Sequence, residues 1–177
     1  TFTDNLITTG WYGGAIRVIN AAIDVTDTTF SNNAAGGVGG AVYADGTGTE
    51  AASFVRCTVQ DNSGGNGGGL DLVQYDTVLI DGCDLLRNAS TLAGGGVYLW
   101  DVGSTEITEC LFEDNTADGD GGGLRSNGST TITDTEFVRN SSGHLGGAGR
   151  IGDGASLTIT GSRFQDNRSV NNGGGLD

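Results

Sequence analysis

The sequence contains no proline, no methionine and no lysine. Proline removes a backbone N–H donor, so its absence suits a fold in which nearly every donor bonds to a neighbouring strand. Without lysine, all 8 basic residues are arginine, against 22 acidic residues, and the formal net charge is −14. Because so acidic a surface repels phosphate backbones, we expect no nucleic-acid partner.

Long apolar runs are also missing. No stretch approaches the roughly 18 consecutive apolar residues of a membrane-spanning helix, so we expect no membrane span in this segment. The chain shows no start methionine, charged leader or apolar core of a signal peptide, and so no targeting signal. It is expected to be one segment, residues 1–177, of a longer protein.

Glycine is abundant, with 34 residues, and its placement follows an internal repeat. An asparagine recurs every 25 to 29 residues, with an aromatic or aliphatic residue three positions earlier and a glycine cluster after it. Repeats of this length indicate a repetitive architecture. The recurring asparagines are Asn5, Asn33, Asn62, Asn88, Asn115, Asn140 and Asn167.

Apolar residues within each repeat alternate with polar ones, which is the period of a strand and not of a helix. Each repeat holds three short strands, none of which buries its apolar face alone. Stacking one repeat on the next buries all of them. We therefore predict an all-β fold, a right-handed parallel β-helix (β-solenoid) with three strands per coil, about 27 residues per coil and six to seven coils.

The repeated polar residues fit corners of such a coil. Stacked asparagines can bond to their counterparts in the coils above and below, and asparagine tolerates the left-handed backbone of a sharp turn. Glycine clusters such as Gly94-Gly95-Gly96 mark a second corner, where positive φ and close backbone approach are required. Three cysteines share one repeat position, which predicts an inward stack of thiols and leaves open a disulfide within one neighbouring pair. They are Cys57, Cys83 and Cys110.

The repeat resembles a known family. Phe30-Ser-Asn-Asn33 and Phe112-Glu-Asp-Asn115 match a Phe-x-x-Asn motif, and Gly39-Gly40-Ala41-Val42 matches a Gly-Gly-Ala-aliphatic motif. Together they resemble the repeats of chlamydial-type polymorphic outer-membrane proteins and, more broadly, bacterial right-handed β-helix repeats. Several repeats depart from the pattern with Gly-Gly-Gly-Leu. The resemblance implies an extracellular or cell-surface passenger, often an adhesin.

Candidates for catalysis are few. β-Helices host polysaccharide lyases and glycoside hydrolases, and a glycosidase needs two facing carboxylates. The acidic residues here scatter over outward positions, and His144, the one histidine, lies in a glycine-rich corner, as expected of a solvated loop residue. Asp118 and Asp120 alternate in a glycine-rich loop and are a candidate Ca²⁺ site, because hard cations prefer such oxygen ligands. No other cofactor is expected.

The strand after the glycines offers the best candidate binding surface. Its outward positions form a stripe of aromatic, cationic and acidic side chains, which can make cation–π and ion pairs or serve as a ledge for a glycan or protein. A plain, internally paired exterior is the alternative. The candidate binding residues are Tyr43, Asp71, Tyr98, Trp100, Arg125 and Arg150.

These observations favour a non-catalytic structural or adhesive segment, extracellular or at the cell surface. A carbohydrate-active enzyme is the alternative. Because a solenoid has two open ends of unpaired strands, flanking coils or a second copy of the chain are expected to cover them, which would allow end-to-end assembly. A glycan or a cell-surface protein is the other partner that the stripe suggests.

Overall fold

The computed structural model describes residues 1–8, 10–152 and 154–177 and is built entirely from parallel strands. Six complete coils of four strands each are followed by two strands of a seventh coil. In chain order the strands are β1 Phe2–Thr3, β2 Leu6–Ile7, β3 Ile16–Ile19, β4 Ile23–Thr26; β5 Thr29–Ser31, β6 Ala34–Ala35, β7 Val42–Asp45, β8 Ala51–Val55; β9 Thr58–Gln60, β10 Ser63–Gly64, β11 Leu70–Val73, β12 Thr77–Asp81; β13 Asp84–Leu86, β14 Ala89–Ser90, β15 Val97–Trp100, β16 Ser104–Thr108; β17 Leu111–Glu113, β18 Thr116–Ala117, β19 Leu124–Ser126, β20 Ser129–Thr133; β21 Glu136–Val138, β22 Ser141–Ser142, β23 Gly149–Ile151, β24 Leu157–Thr160; β25 Arg163–Gln165 and β26 Arg168–Ser169.

Corresponding strands of successive coils pair in parallel and in register, which produces four sheets. Sheet 1 contains the first strand of each coil, sheet 2 the second, sheet 3 the third and sheet 4 the fourth, so that sheets 1 and 2 have seven strands and sheets 3 and 4 have six. The pairing aligns Phe2 with Phe30 and Leu70 with Val97. The predicted right-handed parallel β-helix is thus confirmed. No helix occurs among the described residues, hence none long and apolar enough to cross a membrane.

The coils contain one strand more than the sequence predicted. The three predicted strands of each coil are present in sheets 4, 1 and 3. The additional strands, those of sheet 2, are only two residues long and follow the asparagine directly, as Ala89–Ser90 follows Asn88. Because two residues cannot display a period-two pattern, these strands are not recognisable from the sequence.

The interior is a column of like side chains. Phe112 and Phe137 stack with ring centroids 4.4 Å apart, and Phe137 and Phe164 with centroids 5.0 Å apart. Aliphatic residues of sheets 3 and 4, such as Leu72 and Ile80, are fully buried beside them. Because every coil contributes the same kinds of residue, each coil completes the core of the next.

The seven asparagines form a vertical hydrogen-bonded ladder at the end of sheet 1. The backbone N–H and the side-chain Nδ2 of Asn88 both donate to Oδ1 of Asn115, and both donor–acceptor distances are 3.0 Å. The same Nδ2 also donates to the carbonyl oxygen of Val59 in the preceding coil, at 2.8 Å. Asn88, Asn115 and Asn140 are fully buried, so the ladder satisfies polar groups that have no access to water.

The left-handed residue of this corner is not the asparagine that the sequence suggested. It is the residue just before it, as at Asp61 (φ 56°), Arg87 (φ 51°) and Asp114 (φ 55°). The preceding position takes the strained backbone because its side chain points outward, which leaves the asparagine free to aim its amide inward. Exposed ion pairs connect some of these positions, and Arg87 bonds to Asp61 through both Nε and Nη2 at 2.8 Å.

The glycine corner has two separate requirements. The first glycine of the cluster has positive φ, as at Gly94 (φ 67°). At the second, Gly95, an added Cβ would collide with the carbonyl oxygens of Gly122 and Thr116 in the next coil. The first position therefore requires the left-handed region and the second requires the absence of a side chain.

The cysteine stack is buried and contains free thiols. Backbone N–H groups donate to the next sulfur along the stack, with Cys57 N to Cys83 Sγ at 3.2 Å and Cys83 N to Cys110 Sγ at 3.4 Å. Each thiol in turn bonds to backbone carbonyls, as Cys83 Sγ does to the carbonyl oxygen of Phe54 at 3.3 Å. The three thiols thus take the role that the Thr135 hydroxyl has one coil further on, where it accepts from Cys110 N at 3.2 Å.

Candidate functional site

The outward face of sheet 3 places four of the predicted binding residues together. Along β11, Leu70 and Leu72 point into the core, so Asp71 points outward between them. In-register pairing puts Asp71 between Tyr43 of β7 and Tyr98 of β15. Trp100 lies two residues beyond Tyr98 on the same face.

A groove of about 250 Å³ runs over this face. The rings of Tyr98 and Trp100 are nearly parallel, with centroids 6.3 Å apart. At the other side, Tyr12 packs against Tyr43 with centroids 4.6 Å apart. The lining residues are Tyr12, Val38, Tyr43, Asn66, Asp71, Val73, Tyr98 and Trp100.

The groove also includes Tyr12, which is not among the six binding residues predicted from the sequence. Tyr12 lies in the corner loop before β3 and forms an isolated parallel bridge with Val38 in the loop of the next coil. The equivalent register of the two glycine corners, Gly13-Gly14 and Gly39-Gly40, was the available signal. It places the residue before Gly13 above the residue before Gly39.

Asp71 does not have the exposure expected of an outward residue. Only 2% of its surface is exposed, because neighbouring aromatic side chains cover it. Its Oδ1 atom is buried, and none of the described residues donates a hydrogen bond to it. Burial, with a smaller contribution from the negative charge of Asp45, raises the pKa of Asp71 to about 7. A carboxylate in this state lacks a donor or a cation.

The tyrosines around Asp71 are also perturbed. Tyr43 is 8% exposed and donates its hydroxyl to Asp45 Oδ2 at 3.2 Å. Burial, followed by the charge of Asp45, raises the pKa of Tyr43, and burial followed by the charge of Asp71 raises the pKa of Tyr98. Both phenols therefore stay protonated, and the negative charge of the groove resides on Asp71 and Asp45.

The predicted arginines lie beside the groove and do not line it. Arg125 pairs in register with Tyr98, and its Nη1 donates to the carbonyl oxygen of Ser126 at 2.6 Å. Arg150 is one strand further on and donates to Asp120 Oδ2 at 2.6 Å. At the opposite rim, the guanidinium of Arg17 lies 5.0 Å from the ring centroid of Tyr12, a cation–π contact.

The candidate calcium residues have separate surroundings. Asp118 is exposed, whereas both oxygens of Asp120 are engaged, with His144 Nδ1 2.8 Å from Oδ1 and Arg150 at Oδ2. Partial burial alone would raise the pKa of Asp120, but these two hydrogen bonds outweigh it and hold the pKa below its usual range. No group of three or more His, Cys, Asp or Glu side chains within residues 1–8, 10–152 and 154–177 could hold a metal ion. The Ca²⁺ site stays a prediction.

A wider depression of about 660 Å³ lies on the outer face of sheet 4. It is lined mainly by small and hydroxyl-bearing residues, and Glu106 is its one ionisable side chain among them. Since that carboxylate is exposed, the depression offers area without distinctive chemistry. We therefore regard the aromatic groove of sheet 3 as the candidate site. The lining residues of the depression are Ala51, Ala52, Ser53, Thr77, Val78, Leu79, Ser104, Thr105, Glu106 and Thr131.

Comparison with known proteins supports the surface context of this fold. The family described as a right handed beta helix region matches residues 40–176, and the Chlamydia polymorphic membrane protein repeat matches residues 27–45. An Escherichia coli (strain K12) protein named probable autotransporter YfaL is 39% identical over 88 residues, which are 45% of this chain. Metabotropic glutamate receptor-like protein R of Dictyostelium discoideum is 27% identical over 119 residues, or 67% of this chain.

The chain spans only 7% of the length of each of these two relatives. No solved structure matches it. The similarity to autotransporter and polymorphic membrane protein repeats points to a cell-surface or secreted protein. Since the β-helix match extends over most of the sequence, the chain belongs to the right-handed β-helix family.

Proposed function

We propose that this chain is a non-catalytic, surface-associated β-helix segment that binds a partner through the aromatic groove of sheet 3. One observation carries this proposal: Asp71, on the outward face of a groove rimmed by aromatic rings, has a buried oxygen to which no residue in the described part of the chain donates. The asparagine ladder satisfies its buried amides through the repeat, whereas Asp71 and the neighbouring Asp45 each have a buried oxygen that accepts no hydrogen bond from the described residues. An unsatisfied carboxylate in such a regular fold is expected where a ligand completes the site.

The aromatic rim supports binding to a surface partner. Trp100 is 47% exposed, and with the parallel ring of Tyr98 it provides a flat apolar face. Aromatic residues and arginine are enriched where proteins recognise other molecules, and both types surround this groove. The similarity to passenger-type repeats is consistent with a segment that holds such a face away from the cell.

The test is an adhesion experiment. Beads coated with the chain are offered to glycan arrays and to cells, and retention is measured for the wild type and for a Tyr98→Ala/Trp100→Ala variant. We expect retention by the wild type and loss of most of it in the variant, because its rim is removed. Trp11→Ala is the matched control, since Trp11 is 72% exposed and does not line the groove. Equal retention by all three proteins would refute the proposal.

A second candidate, glycoside hydrolysis, is favoured by a single observation. A carboxyl group with its pKa raised to about 7 by burial, close enough to a second carboxylate to feel its charge, has the character of a general acid. The polysaccharide lyase alternative gains no such support from the described residues. Incubation with polysaccharides and aryl glycosides distinguishes the two roles: release of reducing ends that disappears in Asp71→Asn would establish catalysis, and its absence leaves the binding role.

A further inference from the structure

The charges that line the groove indicate which kind of ligand it favours. Asp71 lies between two aromatic side chains, and Asp45 lies on the same face beside it. The faces of aromatic rings are themselves regions of negative potential. The two carboxylates and the ring faces therefore favour a positively charged ligand in the groove, within a chain whose net charge is −14.

A neutral ligand such as a sugar would not complete this site. A sugar hydroxyl can donate one hydrogen bond to Asp71 Oδ1, but it leaves the charge of the buried carboxylate uncompensated. The cations of this chain are placed elsewhere: Arg17 over Tyr12, and Arg125 at the carbonyl oxygen of Ser126. Neither contributes to the perturbation of Asp71, which arises from burial and Asp45 alone.

The size of the site favours a compact cation. Because Tyr43 and Tyr98 flank Asp71 on the neighbouring strands, its carboxylate lies in a narrow space that suits a compact point charge better than a planar guanidinium fork. A lysine ammonium is a point charge with three donors, and its four-carbon stem can lie against the rings of Tyr98 and Trp100. The volume of about 250 Å³ admits one such side chain.

We propose that the groove binds the ammonium group of a lysine side chain presented by a protein partner, with Asp71 as the counter-ion and with Tyr98 and Trp100 as the apolar face against which the stem lies. This inference rests on the proposed function, because it names the ligand of the same groove. The chain itself contains no lysine, so a second copy of this chain cannot provide the ammonium group.

The experiment uses nuclear magnetic resonance on a Trp11→Phe variant, in which Trp100 gives the only indole N–H signal. Nα-acetyl-lysine methylamide is titrated at low ionic strength and pH 8, where Asp71 is charged. We expect a saturable shift of that signal, weakened roughly ten- to hundred-fold by Asp71→Asn. Asp84→Asn, which removes an exposed carboxylate from sheet 1, is the matched control and is expected to bind as the parent does.

Two further probes separate the possible ligand classes. The Nε-acetylated form of the same compound keeps the stem without the charge, and methyl glucoside represents a neutral sugar; neither should produce a saturable shift. Binding of either one with the affinity of the amine, or binding of the amine unaffected by Asp71→Asn, would overturn the inference. If Asp71→Asn loses its fold by circular dichroism, Asp45→Asn, which removes the second negative charge, takes its place and should weaken binding by a smaller factor.

The outcome is separable from that of the proposed function. Adhesion that depends on Tyr98 and Trp100, combined with no response to the lysine derivative, would leave the binding role intact and refute the lysine assignment. Loss of both would refute both. A response to the lysine derivative together with adhesion blocked by it would support both.

Discussion

The asparagine ladder and the groove on sheet 3 solve the burial of polar groups in opposite ways. In the ladder, Asn88 and Asn115 are fully buried, and each amide finds donors and acceptors in the coils next to it. In the groove, Asp71 is almost as deeply buried, yet one of its oxygens has no donor within the described chain. Repetition provides partners for a residue that occurs in every coil, but not for a residue that occurs once.

This contrast distinguishes residues that stabilise the coil from residues that are candidates for binding. A residue type that repeats at one position is explained by its neighbours of the same type above and below. A residue that breaks the repeat has no such explanation, and where it is also buried and unsatisfied it marks a candidate site.

Removing an amide from the middle of the ladder should have the largest effect. Asn115→Ala leaves the backbone N–H and Nδ2 of Asn88 without their acceptor and the carbonyl oxygen of Leu85 without a donor. At about 1–3 kcal/mol for each of these three groups, the free energy of unfolding should fall by roughly 3–9 kcal/mol. Asn127→Ala, which removes a single acceptor for the backbone N–H of Asp101, should cost below about 1 kcal/mol. Urea unfolding monitored by circular dichroism measures both.

The buried carboxylate of the groove should act in the opposite direction, because Asp71→Asn removes a charge that the fold does not compensate. The pKa of Asp71 is about 7 in the folded chain against an ordinary value near 3.8. Below about pH 4 the carboxyl is protonated in both folded and unfolded chains, and its burial has no charge penalty. Between these two values the unfolded chain loses its proton first, so the free energy of unfolding falls as the pH rises.

The variant should therefore be more stable than the wild type at pH 8, by up to about 4 kcal/mol, with the difference vanishing near pH 4. Thermal unfolding of both proteins across this range gives the difference directly. A constant difference, independent of pH, would contradict the elevated pKa. The charged and titratable groups that face Asp71 are Tyr43, Tyr98 and Asp45, with Arg17 and Arg125 at the two rims.

The thiol stack extends the comparison to an interior position that the repeat fills with different residues. Cys83 donates to backbone carbonyls just as Ser162 does in its own coil, with Ser162 Oγ 3.0 Å from the carbonyl oxygen of Thr160. Cys83→Ser should accordingly lower the free energy of unfolding by only about 1 kcal/mol, since the hydrogen bonds are kept and little volume is lost. Cys83→Leu is the contrasting variant, which overpacks the same position and should cost about 1–3 kcal/mol.

The same stack predicts a labelling pattern. All three cysteines are free and buried, so the native protein should react with a thiol reagent only after unfolding, and then at three groups per chain. Mass spectrometry after alkylation in native and denaturing conditions counts them. A count of one under non-reducing denaturation would indicate a disulfide between two of the three.

The smallest effect is expected at an exposed ion pair in the turn between the strands of sheet 4 and sheet 1. Arg56 bonds to Asp27 through Nε and Nη2 at 2.7 and 2.9 Å, but both side chains are more than half exposed. Arg56→Gln should therefore change the free energy of unfolding by less than about 1 kcal/mol, and less still at high salt. A change larger than about 1 kcal/mol would mean that exposed ion pairs between coils stabilise the fold more than expected for surface salt bridges.

The fold could be predicted from the sequence because equivalent positions in successive coils of a solenoid carry similar residues. The period, the inward aromatic and aliphatic residues, and the asparagine and glycine positions all follow from residues that recur in line. The strands of sheet 2 were not predicted because two-residue strands such as Ala34–Ala35 show no periodicity. The position of the left-handed residue was not predicted either, because different residue types, such as Asp61 and Arg87, occupy it in different coils.

The candidate site was only partly predictable. Alternation placed Tyr43, Asp71 and Tyr98 on one outward stripe, and the register of the repeat made them neighbours. Their burial did not follow, because it depends on how far each ring leans over the next strand. The separation of Arg125 and Arg150 from the groove likewise arises from their own contacts, with Ser126 and Asp120.

The coil follows from the amino-acid sequence alone: which residues face inward, where the chain turns and how one repeat lies on the next. These features are visible in the sequence because they recur in every coil. The burial of the outward-facing Asp71 carboxylate, with an oxygen that no described residue bonds, is evident only in the folded structure. This burial depends on contacts among side chains from three coils and a corner loop. Because those contacts occur at only one place in the molecule, they leave no recurring pattern in the sequence.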